Sequence, residues 1–146
     1  MCIRDRNEDR ALYWYRRGAE AGSDYCMYCL GWNYSNGEGV EQNMTEAIRW
    51  YTAAAEGGNG GAMCNLGRCY KMGHGVEQNL QEAVKWYEQG AQCGHLQSMN
   101  NLAYCYDYGE GVEQNEERAL YWYRRGAEAG SDYCMYCLGS VSYTHL

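Results

Sequence analysis

The chain has 146 residues, 46% of them apolar and 21% charged, with a formal net charge of −7. That balance excludes a disordered or collagenous chain, and no run approaches the roughly 18 to 20 consecutive apolar residues of a membrane-spanning helix. Nineteen glycines, no proline and no phenylalanine, beside sixteen tyrosines and five tryptophans, are too lopsided for a typical enzyme domain and point to one unit copied several times.

In chain order, the first feature is an anomaly at the ends. Met1 to Arg6 can be read from ATG TGT ATA AGA GAC AG followed by a purine, and Val141 to Leu146 from the reverse complement of the same bases, with two leftover bases completing a TCT codon for Ser140. Both ends have the form of one transposon sequencing adapter read in opposite directions, so residues 1–6 and 140–146 are set aside as scars. Met1 is then no evidence of a natural start, and the expectation is a longer protein with further repeats of the same chain missing on both sides.

Residues 7–139 repeat. Trp14-Tyr15, Trp50-Tyr51, Trp86-Tyr87 and Trp122-Tyr123 fall in one column with a period of 36 residues and no insertion. Gly-x-Gly-Val-Glu-Gln-Asn recurs from Gly37 to Asn43, Gly73 to Asn79 and Gly109 to Asn115. Residues 7–31 and 115–139 differ only at Asp9 against Glu117. The array holds about 3.7 units, enough for a stack that needs about three to be stable.

In the copy spanning residues 60–94, a first helix over about 60–72 places Ala62, Met63, Leu66 and Tyr70 on one side. Gly73-x-Gly75 turns the chain to Asn79, an N-cap with Glu82 three residues on as a capping box. A second helix over about 80–93 follows, with Ala83, Tyr87, Gly90 and Ala91 at i, i+4, i+7 and i+8. Gly94, in one column with Gly22, Gly58 and Gly130, stands where a left-handed cap ends it. Each repeat is thus two antiparallel helices that must stack on their neighbours to hide their apolar stripes. The small columns Gly31/Gly67/Ala103/Gly139 and Gly18/Ala54/Gly90/Gly126 let backbones approach while the Trp-Tyr pairs fill the gaps.

Leu66-Gly67-x-x-Tyr70, Gly73-x-Gly75-Val76, Glu82-Ala83-x-x-Trp86-Tyr87 and their copies resemble the SEL-one-like (SLR) repeat of the tetratricopeptide-like superfamily. The resemblance covers residues 7–139 and implies an all-α, right-handed α-solenoid of stacked antiparallel helix pairs that acts as an adaptor or scaffold for protein partners. The family often has proline after Gly-Val and aspartate at the cap; here Glu41, Glu77 and Glu113 and Asn43, Asn79 and Asn115 stand there.

Eight cysteines lie within the repeats. Cys26/Cys29 and Cys134/Cys137 are C-x-x-C pairs, but mid-helix and about three repeats apart, and the column Cys26/Ala62/Ser98/Cys134 asks only for a small side chain, so no metal is expected. A cysteine-rich secreted branch of the family clips each repeat with a disulfide whose columns here hold Ala91 and Met99, or Ala55 and Met63. The clip is absent, which favours free thiols in a reducing compartment such as the cytoplasm. His74 in a turn and His95 at a helix start read as solvated surface residues with no paired acid or nucleophile. The Gly-x-Gly turns lack the later glycine of a dinucleotide fingerprint and the lysine of a phosphate loop, so neither cofactor nor catalysis is expected. The sequons at Asn33 and Asn43 read as chance matches.

Removing Arg4, Asp5 and Arg6 takes away a net +1 and leaves −8 on the repeats, which disfavours nucleic acid. Met27, Leu30 and Tyr34 mark the buried side of the first helix of a pair, and the opposite columns vary. They read Tyr25, Tyr28, Trp32, Ser35, then Gly61, Cys64, Arg68, Lys71, then Gln97, Asn100, Tyr104, Asp107, then Tyr133, Tyr136. Variation on a fixed frame, rich in Tyr, Trp and Arg, is what a binding surface made of repeats requires. By resemblance to tetratricopeptide solenoids, these positions would line a concave groove for a peptide or protein. The alternatives are a substrate-recruiting arm of a larger enzyme or sensor, and a secreted cysteine-rich repeat protein.

Overall fold

The computed structural model describes the backbone of residues 3–144 and the side chains of residues 9–139. The described residues form eight α-helices and no strand: α1 (Ile3–Glu20), α2 (Asp24–Asn36), α3 (Met44–Glu56), α4 (Gly60–Met72), α5 (Leu80–Gln92), α6 (Leu96–Tyr108), α7 (Glu116–Glu128) and α8 (Asp132–Thr144). The two helices expected in the copy spanning residues 60–94 are α4 and α5, placed to within a residue. α1 begins at Ile3 and α8 runs on to Thr144. The end segments set aside as scars otherwise lie outside the described side chains.

Each turn type has a local cause. Asn79 Oδ1 accepts the Glu82 N–H at 3.1 Å, as a cap should. The reciprocal half of the expected capping box is not made: the Asn79 N–H donates to the Tyr70 carbonyl at 2.8 Å, which leaves the Glu82 carboxylate to face Lys85 at 3.4 Å. Gln78, two positions outside the helix, was not singled out by the sequence reading, yet its Nε2 donates to the Lys71 carbonyl at 2.9 Å and closes the open end of α4. Gln42 and Gln114 do the same to Ser35 and Asp107, at 2.9 and 2.8 Å. At the other end of the pair, Gly94 has φ +86°, its N–H reaches the Ala91 carbonyl and the His95 N–H reaches Gly90, both at 3.0 Å. That is the two-bond left-handed stop that only glycine takes without strain.

Adjacent helices pack antiparallel along the chain, and α4 also touches α6 directly, which sets the even-numbered helices on the inner side of the stack. Tyr51, Tyr87 and Tyr123 are the largest fully buried side chains. Their room comes from the small column: a Cβ on Gly67 would sit 2.5 Å from the Tyr87 ring. The other small column has its own partner. Gly18, Gly90 and Gly126 lie directly against Cys26, Ser98 and Cys134, while Ala54 takes Ala62 by register. Where one side gains a methyl, the other loses its heteroatom.

The tryptophans join repeats. Trp50 packs against the Leu12–Ala19–Leu30 cluster of α1 and α2, Trp86 against the cluster centred on α3 and α4, and Trp122 lies within the cluster shared by α4 to α8. Arg17 and Arg125, both exposed, lie over aromatic rings: Arg125 sits 5.7 Å from the Tyr121 centroid and 5.6 Å from that of Trp122.

Candidate functional site

The inner face carries a run of adjoining pockets. The first, about 410 Å³, lies between Tyr15, Tyr28 and Trp32. Trp32 also walls the second, about 210 Å³, with Asn65, Arg68 and Met72. Arg68 and Met72 pass into a third of about 370 Å³ with Lys71, and Lys71, Gln97 and Asn101 pass into a fourth of about 420 Å³, closed by Tyr104 and Tyr133. Shared walls make these one groove along α2, α4 and α6 rather than four separate hollows.

Nine of the positions expected on the binding face line it: Tyr28, Trp32, Ser35, Arg68, Lys71, Gln97, Asn100, Tyr104 and Tyr133. Trp32 and Arg68 are exposed. Tyr28 is half-buried, its ring 6.1 Å from that of Tyr51. Lys71 lies 5.2 Å over the Tyr104 ring and 3.5 Å from Glu110. Tyr25 and Tyr136 are exposed but outside the four pockets, and Asp107 is turned to accept the Tyr123 hydroxyl at 3.2 Å.

Three expectations of exposure fail. Asn100 is 7% exposed, with Oδ1 accepting from Ser131 Oγ at 2.9 Å and meeting Cys134 Sγ at 2.7 Å. A buried amide must be satisfied, and Asn100 Oδ1 is satisfied by the N-terminus of α8, so it joins repeats while it also lines the fourth pocket. Cys64 is likewise buried. His95 is not a solvated residue either: half-buried, it caps α6, with Nδ1 accepting the Ser98 N–H at 3.3 Å, and burial pushes its pKa below the ordinary value. His74 is exposed. Asn33, in the first sequon, is buried, and Asn43 caps α3.

The sequence reading missed Asn65, Asn101 and Met72, which line the groove beside Arg68 and Lys71. The signal was available. Cys29, Asn65 and Asn101 form a variable column four residues after Tyr25 and three before Trp32, hence on the same face.

Chemically the groove walls are quiet. Burial pushes the phenols of Tyr51 and Tyr87 and the thiol of Cys69 up, and that of Cys105 up to about 11, so these groups are neutral at pH 7. The eight cysteines among the described residues are all unpaired, and no group of three or more His, Cys, Asp or Glu converges there. Among the described residues no helix is long and apolar enough to cross a membrane.

The Sel1 repeat family model matches residues 4–23, 24–59, 61–95 and 96–131. Similar solved structures include a Sel1 repeat protein from Oxalobacter formigenes, 34% identical with a TM-score of 0.87 over 91% of this chain and 54% of that one. They also include c5321, a protective antigen present in uropathogenic Escherichia coli strains displaying an SLR fold, 36% identical with a TM-score of 0.88 over 92% of this chain and 29% of that one. The chain therefore spans about half the length of the first and under a third of the second. Cysteine rich protein B of Helicobacter pylori shares the fold at 21% identity, with a TM-score of 0.73 over 90% of this chain and 94% of that one. A search of curated proteins gave no match. Four consecutive matches over most of the residues, on stacked helix pairs of the same architecture, mean that this chain belongs to the Sel1 repeat family, whose members are mostly non-catalytic and generally serve as protein–protein interaction scaffolds.

Proposed function

We propose that residues 7–139 form a non-catalytic scaffold that holds a peptide or protein partner in the groove along α2, α4 and α6, with Tyr28, Trp32, Arg68, Lys71, Tyr104 and Tyr133 as the contacts. The observation that carries this reading is the continuity of the four pockets across columns that change from repeat to repeat. Trp32, Arg68 and Tyr104 occupy one column, and Cys29, Asn65 and Asn101 another, while Leu30, Leu66 and Leu102 hold the core beneath them unchanged. A wall that varies over a constant floor presents a different chemistry at each step, as recognition of one extended segment demands.

The test is selection of binders from a displayed random-peptide library on the whole chain, followed by affinity measurement of a selected peptide against variants. Trp32→Ala is expected to weaken binding by about 2 kcal/mol, close to thirtyfold, while costing about 1 kcal/mol or less in stability because the side chain is already half in solvent. A selected peptide that binds Trp32→Ala and Arg68→Ala as tightly as the parent chain would remove the groove from consideration.

A further inference from the structure

The chain carries 19 carboxylates against 12 lysines and arginines, yet the groove reverses that sign locally. Every described Lys and Arg outside α4 lies on an odd-numbered helix; α4 alone among the even-numbered helices carries cations, Arg68 and Lys71, and it carries no acid. The three adjoining pockets around α4 are walled by these two cations and by the amides Asn65, Gln97 and Asn101, with no Asp or Glu among the described lining residues. The nearby acids are accounted for. Glu110 meets Lys71 at 3.5 Å from the loop after α6, and Asp107 accepts from Tyr123. Arg68 has no carboxylate partner among the described residues.

At physiological salt, charges separated by more than about 8 Å are largely screened, so a bound segment responds to the groove wall rather than to the net charge of the whole chain. A carboxylate brought to Arg68 gains a charge-assisted, two-pronged pair, and the amides beside it can satisfy main-chain N–H and C=O groups. A basic side chain at Arg68 would lose water and find no acid among the residues lining these three pockets. Toward α2 the groove changes character: Tyr15, Tyr28 and Trp32 enclose an apolar space, with Glu38 also lining it.

Building on the groove reading of the preceding section, we infer that the occupant is an extended, acidic segment of a partner protein, its Asp or Glu side chains over Arg68 and Lys71 and an apolar side chain seated between Tyr28 and Trp32.

The test pans the same random-peptide library on the whole chain and on Arg68→Glu/Lys71→Glu, with Arg68→Gln/Lys71→Gln as a milder variant should charge reversal beside Glu110 impair folding, and circular-dichroism melts on all. Peptides selected on the parent chain are expected to be enriched in Asp and Glu, and to lose about tenfold or more in affinity on either double variant and on raising salt. They should bind Arg124→Glu, an exposed change on α7, unchanged. The charge-reversed chain should select Lys- and Arg-rich peptides instead. Peptides that lose binding on Trp32→Ala but show no acidic excess would overturn the acidic partner and leave the groove standing. Peptides indifferent to both Trp32→Ala and the α4 variants would overturn the groove and with it this inference.

Discussion

Residues 9–31 and 117–139 are almost the same sequence in two places, and they are buried differently. Trp14 is 63% exposed while its counterpart Trp122 is 8% exposed. Leu30 is fully buried while Leu138 is only partly so. Trp122 rests on the α5–α6 pair before it, and Leu30 is covered by α3 after it. Each side chain is capable of burial in both positions, so the core of this molecule is a property of neighbouring pairs. In a stack of this kind stability is a sum of unit and nearest-neighbour terms, and the twin segments separate the two.

The sharpest way to break this comparison is to truncate the tryptophans. Trp122→Ala should cost about 3–5 kcal/mol and Trp14→Ala no more than about 0.5 kcal/mol, read by urea denaturation; equal costs would end the nearest-neighbour account. The leucines should give the reverse order along the chain. Leu30→Ala is expected to cost about 2–4 kcal/mol and Leu138→Ala about 1 kcal/mol or less. A smaller effect probes the paired small columns. Gly126→Ala should cost about 1–3 kcal/mol although alanine is the better helix former, because its Cβ meets the fully buried Cys134, and Cys134→Ala in the same chain should restore the loss. Gly18→Ala should be milder, since Cys26 is only half-buried and can move aside.

The smallest expected effect lies at the cap column, where the twins have Ser23 and Ser131 and α6 has His95. Burial holds His95 below its ordinary pKa, so as pH falls the unfolded chain takes up the proton first. Stability from this cap is full above the unfolded value of about 6.5 and falls as pH drops through it toward the lower folded value. The melting temperature should decline more steeply from about pH 7.5 to 5 in the parent chain than in His95→Asn, which keeps a capping acceptor that does not titrate. Identical slopes would take His95 out of the cap.

The helices and their turns were legible because a 36-residue period without gaps lets four copies vote on every column. The Trp50, Trp86 and Trp122 column was visible as well, but its role as the joint between repeats was not, since the partner cluster lies in the preceding unit. The groove was legible in part. A helical wheel on Leu30 finds the side opposite the core, yet it cannot say how far that side is rotated. The close approach of α4 to α6 sets that, and it brings in Asn65 and Asn101 and leaves Tyr25 and Asp107 outside. Asn100 looked free because Ser131, which buries it, is 31 residues away in the chain.

The exchange between Gly18/Cys26, Ala54/Ala62, Gly90/Ser98 and Gly126/Cys134 constrains how such an array can change over generations. The two members of each couple are eight positions apart, on either side of one tight loop. A crossover in one of the Gly-x-Gly turns, such as the one from α2 into α3, carries both along and leaves packing intact, whereas one inside the loop at residues 57–59 would join the α3 alanine to a helix bearing cysteine and crowd the junction. The copying of residues 7–31 as residues 115–139 keeps the couple together. The inheritable unit of this solenoid is therefore the hairpin from α1 into α2, and recombination that respects it can lengthen the array and diversify the groove without touching the core.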